Sequence, residues 1–135
     1  MIRITIPLPP VSKKNSQQIH EYGGRRMIVP SAAYRRYEIQ AGYHLRPRPA
    51  QPLQGPLQVK CLFYMPTRRR VDLVNLLEAA DDVLVKHGVI ADDHSGVVAS
   101  HDGSRVLYDK ARPRTEIEIT NITEEDLTHE RDRAL

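Results

Sequence analysis

The sequence predicts a single α+β domain in which a mixed β-sheet is covered by two main helices. Three observations lead there. Stretches that alternate apolar and polar residues recur at 2–8, 57–65 and 115–120, the mark of half-buried strands. Two longer stretches, after Ser31 and after Asp72, instead repeat their apolar residues at helical spacing. A length of 135 residues suits one such domain and leaves little room for two.

Residues 2–8 (IRITIPL) alternate and are rich in β-branched side chains, so they form the first strand, which Pro9 and Pro10 end. Residues 11–25 are polar and contain Gly23–Gly24; they read as a mobile loop or a loose hairpin turn, with 26–29 returning as a short strand. Ser31 can cap a helix because its hydroxyl accepts a free N–H of the first turn. That helix runs to about residue 45, with Tyr34, Tyr37, Ala41 and Leu45 at helical spacing. Pro47, Pro49, Pro52 and Pro56 make the next segment a loop.

Residues 57–65 (LQVKCLFYM) alternate and then become continuously apolar, as in a central strand, until Pro66. Asp72 is placed to cap a second helix over 73–87, with Leu73, Leu76, Leu77, Ala80 and Leu84 as its apolar stripe. Another face carries Asn75, Glu78 and Asp82, spaced by three and four and therefore side by side. Gly88 is a natural stop. Strands follow at 97–100, 105–108 and 115–120, with a turn at Asp102–Gly103. The folded domain spans residues 1–121. Residues 122–135 form a charged C-terminal tail, either an exposed helix or disordered.

Composition excludes several classes. No apolar run approaches the roughly 20 residues of a membrane span, and MIRITIPLPP lacks the apolar region of a secretory signal. Cys61 is the single cysteine and lies within an apolar run, so it reads as a small buried hydrophobe in a cytoplasmic protein. With no Trp and one Phe, the core rests mainly on Val, Ile, Leu and Ala. The net charge of +3 is unevenly spread. The tail holds five acidic residues against two arginines, so the positive excess lies in the domain, in Arg25–Arg26, Arg35–Arg36 and Arg68–Arg69–Arg70. Such clusters fit a polyanionic partner or a solvated basic surface.

The chemistry concentrates in residues 68–93, RRRVDLVNLLEAADDVLVKHGVIADD. Arginines precede Asp72 at a helix start, and Asp92–Asp93 follow the Gly88 turn, where the chain must double back along the sheet edge. Carboxylates beside arginines suit metal-assisted phosphodiester hydrolysis, the carboxylates holding magnesium and the arginines the phosphates. A helix cap at Asp72 and a polar loop at Asp92–Asp93 account for the same residues without chemistry.

This segment resembles the signature of the RusA family of Holliday junction resolvases, in which an arginine-rich stretch leads into Asp-x-Asp-Asn-x-x-Lys, then a further Asp, a Gly and an Asp-Asp pair. Asp72, Asn75, Asp82, Gly88, Asp92 and Asp93 fall on matching positions without a gap. The opening PLPPVSKKN is similar to the family's start, and SHDGSRVLYDKARPRTEIEI to phage-related members. The resemblance implies a RusA-like fold and a crossover junction endodeoxyribonuclease. It implies a homodimer that binds four-way DNA junctions and nicks them symmetrically with Mg2+, in recombination and repair. It places the acidic ligands at Asp72 and Asp93, with Asp92 beside them and Asn75 and Asp82 in support. Two positions depart from the pattern: Val74 replaces the second aspartate and Glu78 the lysine. Residues 74 and 78 are one helical turn apart on one face, so Glu78 either returns the missing carboxylate to the site or is an ordinary solvated helix residue. The lysine's electrostatic role then passes to Lys13, Lys14 or an arginine of the 68–70 cluster. Lys13, Lys14, Arg25, Arg26, Arg68, Arg69 and Arg70 are the expected DNA contacts.

Other residues carry less. His94, beside Asp93, reads as a loop histidine or a partner of that acid, and His101–Asp102 as a turn. Tyr22, Tyr34, Tyr37 and Tyr43 either stack on bases or pack on the sheet. Gly23–Gly24 reads as a DNA-contacting flap or a simple turn. Two competing functions are a catalytically weak or inactive branched-DNA-binding protein of the same fold, and a nuclease of this fold acting on another branched or flapped DNA.

Overall fold

A computed structural model describes residues 1–13 and 17–128. Lys14 and the tail after Thr128 lie outside the described residues. The elements run β1 (Ile2–Ile6), β2 (Gln17–Tyr22), β3 (Arg25–Pro30), α1 (Ala32–Gly42), β4 (Leu57–Met65), α2 (Leu73–Lys86), β5 (Val98–Ser100), β6 (Arg105–Tyr108), β7 (Arg114–Asn121) and α3 (Glu124–Thr128).

The main sheet has the order β1-β7-β4-β5, with β6 also on β4. β7 lies antiparallel between β1 and β4. β5 and β6 both run parallel to β4, pairing with its beginning and its end. The sheet is therefore mixed, as the alternation pattern predicts. One face holds Ile4, Ile6, Val59, Cys61, Phe63, Ile117 and Ile119, all buried. The other face is polar, with Glu118 paired to Arg3 at 3.4 Å and to Lys60 at 3.9 Å. Tyr37, Ala41 and Leu45 from the α1 segment and Leu76, Ala80, Val83 and Leu84 from α2 close the apolar face. Cys61 is fully buried, and its thiol is pushed up by that burial.

The predicted caps form. The Ser31 hydroxyl accepts from the Tyr34 N–H at 3.1 Å, and the Asp72 carboxylate accepts from the Val74 N–H at 2.9 Å. Gly88 ends α2 with φ 74°, a conformation open to glycine and strained for other residues. The chain then doubles back: Val89 and Ile90 are buried, and Leu53, in the loop before β4, donates its N–H to the Val89 carbonyl and accepts from the Ala91 N–H, both at 2.9 Å.

Two expectations need correction. Of the two readings of residues 11–25, the hairpin turn is present at Gly23–Gly24, but residues 17–22 before it are a strand that pairs with β3 in a separate two-stranded sheet. Its backbone ladder stabilises it without an apolar alternation that the sequence could display. His101, read as part of a turn, is also a structural anchor. One ring nitrogen lies 2.7 Å from the Val59 carbonyl and the other 2.8 Å from the Asp81 carboxylate. The Asp102–Gly103 turn itself is present, with φ 83° at Gly103. Residues 124–128 of the tail are helical, with reciprocal capping between Thr123 and Asp126.

Candidate active site

The acidic residues are organised by α2 and by the return loop after it. At the N-terminal end, one oxygen of Asp72 is committed to the helix cap while the side chain as a whole stays exposed. Arg68, Arg69 and Arg70 lead into this end and are exposed. The Arg68 guanidinium lies 4.3 Å from the centre of the Tyr108 ring, a cation–π contact that orients it over β6. Val74, 67% exposed, Glu78 and Asp82 recur every four residues and so follow one face. Asn75, one residue on from Val74, is half-buried.

Asp82 belongs to a different neighbourhood. A pocket of about 540 Å³ gathers Lys13, Arg35, Glu38, Asp82, Asp92 and Asp93. Lys13 pairs with Asp82 at 3.2 Å, and its ammonium stands 6.0 Å from the Tyr34 ring. Lys86 pairs with Glu38 at 3.1 Å. Asp92 accepts from the Asp93 N–H at 2.8 Å, which fixes the loop. The Asp93 side chain reaches solvent. Partial desolvation, a hydrogen bond with Asp92, and the charges of Asp82 and Asp92 nevertheless push its carboxyl above the ordinary value.

The structure thus brings Asp92, Asp93 and Asp82 together with Lys13, four of the residues singled out from sequence. Asp72 stands ten residues before Asp82 on α2, about 15 Å of helical rise away. Neither Asp72 nor Glu78 lines the pocket. Among the described residues, no group of three or more His, Cys, Asp or Glu side chains is set closely enough to hold a metal ion by itself. Magnesium commonly takes only one or two protein carboxylates and completes its shell with water and substrate phosphate. The Asp92–Asp93 pair fits that requirement: both donors are hard oxygens, and a cation held there would offset the influence by which Asp92 raises the Asp93 carboxyl.

The remaining candidates separate. Arg25 and Arg26 are exposed near the hairpin turn, Arg26 with Glu21 at 3.6 Å. His94 is an exposed loop residue whose ring accepts from the Gly96 N–H at 3.0 Å; its other nitrogen is 4.0 Å from Asp92. Tyr34 and Tyr37 are buried in the domain, whereas Tyr43 is exposed. Glu38 and Lys86 at the pocket were not anticipated from sequence, and Arg35 only as part of a basic cluster. Their approach to Asp93 depends on how α1 packs on α2, and no local spacing encodes that.

Comparison with protein families gives a match between residues 7–120 and the family described as Endodeoxyribonuclease RusA. Comparison with curated proteins gives no match.

Proposed function

Because the chain belongs to the RusA family of endodeoxyribonucleases, we propose that it nicks four-way DNA junctions by magnesium-assisted hydrolysis of a backbone phosphodiester, acting as a homodimer in recombination and repair. The observation that carries the reading is the convergence of Asp92, Asp93 and Asp82 on one pocket, within a match that also spans the Arg68–Arg70 stretch.

In this reading Asp93 and Asp92 hold the cation. Lys13 neutralises Asp82 and so limits the charge that a DNA strand meets on entry. Magnesium at this place supplies a Lewis acid for the phosphate oxygens and a water of lowered pKa. Arg68, Arg69 and Arg70 bind phosphates at the other end of α2, with Arg68 pre-oriented by Tyr108. Arg25, Arg26 and Lys14 extend the basic contacts, and residues 1–121 form the nuclease unit. Two copies match the two-fold symmetry of a junction and place one nick on each of two strands.

A second reading puts the cation at Asp72, with Glu78 contributing in place of the carboxylate absent at Val74. It is favoured by the position of Asp72 directly after the arginines, where phosphates would arrive. Nicking of a synthetic four-way junction, compared with flap and linear duplex DNA and with and without magnesium, tests the function. Magnesium-dependent paired nicks confined to the junction are expected. Tight binding without cleavage at any magnesium concentration would identify an inactive binding protein, and preference for the flap a different branched substrate.

A further inference from the structure

A second pocket, of about 620 Å³, opens between the C-terminal end of α1, the segment after it and the end of α2. Its lining includes Ile39, Tyr43, Arg46, Arg48 and His87, and no acidic residue. Tyr43 is 73% exposed and Ile39 60%, and both arginines are exposed. Large exposed aromatic and aliphatic side chains beside arginines are the composition of a binding surface.

The parts are held in place. Arg48 donates through Nη2 to the Gly42 carbonyl at 2.7 Å, at the end of α1. This fixes the guanidinium while most of its five N–H donors stay available. The His87 ring packs so closely on α1 that a Cβ on Gly42 would clash with it, and a ring nitrogen lies 2.9 Å from the Glu38 carbonyl. Glu38, the nearest acid on α1, is turned to Lys86. The pocket also continues the acidic one: Glu38 lines the first and its neighbour Ile39 the second.

We propose that this pocket is a nucleotide subsite of the DNA-contacting surface, in which Arg46 and Arg48 hold a backbone phosphate and Tyr43 stacks on the adjoining base. The proposal rests on the reading that the substrate is DNA. Guanidinium groups match phosphate geometry, and an exposed tyrosine ring is a sequence-tolerant platform for an unpaired base. A second copy of the chain fits less well, because a two-fold contact brings this patch against itself, and its lining offers no acid to receive the arginines.

The test is binding of the full chain to a fluorescent four-way junction and to a single-stranded oligonucleotide. Both are measured in EDTA, so that cleavage plays no part, and across a range of salt. Each of Arg46→Gln and Arg48→Gln should flatten the slope of log affinity against log salt by about one. Tyr43→Ala should weaken binding roughly 5- to 100-fold and leave the slope unchanged. Arg46→Gln and Tyr43→Ala alter exposed side chains, so they stay informative even if Arg48→Gln loosens the end of α1. Wild-type slope and affinity in these two variants would overturn the subsite and leave the nuclease standing. Absence of DNA binding by the wild type would overturn both. Sedimentation showing that either variant converts a dimer to monomer would make this face a subunit interface and overturn the proposal.

Discussion

Replacing His101 with alanine should cost the fold about 3 kcal/mol, and the cost should depend on pH with a defined sign. His101 faces two acceptors, the Val59 carbonyl and the Asp81 carboxylate, at 2.7 and 2.8 Å. A carbonyl can only accept, and so can a carboxylate that carries no proton, so the ring donates to both when it is the imidazolium with hydrogen on each nitrogen. Asp81 is buried, and its second oxygen, Oδ1, has no hydrogen-bond partner among the described residues. Without His101 a buried carboxylate would lose its one neutralising contact. Such breaks cost roughly 3–5 kcal/mol; the side chain of His101 is 26% exposed, which argues for the lower end. Against a total stability of about 5–15 kcal/mol, the melting temperature should fall by about 10 °C. The Asp81 hydrogen bond is the main reason that the His101 pKa is raised; burial opposes it, and the charge of Asp81 adds to it. A histidine raised above its unfolded value of about 6.5 stabilises fully below that pH and loses its contribution as pH rises through the folded value. The stability gap between wild type and His101→Ala should therefore be widest near pH 6 and narrow in alkaline solution. Urea unfolding followed by circular dichroism between pH 5.5 and 9 measures it. A gap below about 1 kcal/mol, or one that widens with pH, would refute the imidazolium clamp.

Three further outcomes follow from the site and the arginines beside it. Asp93→Asn should reduce nicking by more than about 100-fold, beyond the effect of losing a residue that merely orients a ligand, while leaving junction binding intact. If Asp72→Asn and Glu78→Gln also raise the magnesium needed for half-maximal rate, the cation belongs at the N-terminal end of α2; wild-type magnesium dependence in both would assign it to Asp92 and Asp93. Changing Arg68, Arg69 and Arg70 together to alanine should weaken binding to every DNA sequence alike and flatten the salt slope by up to about three, and an unchanged slope would remove these residues from the interface.

Much of the fold is legible because its signals are local. Leu57, Val59, Cys61 and Phe63 all face the core, so the alternation that marks β4 is the cause of its burial. Ser31 and Asp72 act within three residues of themselves and can be read as caps directly. The hairpin β2–β3 left little trace, because it forms a sheet of its own and needs no apolar period in Gln17–Tyr22. Adjacent acids tell a similar story. Asp81 and Asp82 look alike in sequence, yet one points into the fold toward His101 and the other toward Lys13. The helical pattern held a clue, since Asp81 sits between Leu77 and Leu84 on the buried side; a carboxylate there demands a partner. Which histidine supplies it is set by β4 and β5, far along the chain. The meeting of Asp93 with Asp82 and Lys13 is likewise a product of the return loop and the packing of α1; the residues themselves were visible beforehand, their meeting was not.

The place of β7 in the sheet has a consequence for biosynthesis. β7 is the wedge between β1 and β4, yet it is the last of these strands to leave the ribosome, more than a hundred residues after β1. At roughly 5–20 residues per second, β1 waits between about 5 and 20 s for β7, its neighbour in the sheet among the described residues. Throughout that interval Ile4 and Ile6 lack the β7 partners they have in the fold, and an unpaired strand is the kind of edge that recruits other chains. Pro7, Pro9 and Pro10 follow immediately and cannot donate to a ladder, which keeps the vulnerable strand short. A nascent chain halted before residue 114 would have every helix of the core and no means of joining the two halves of its sheet.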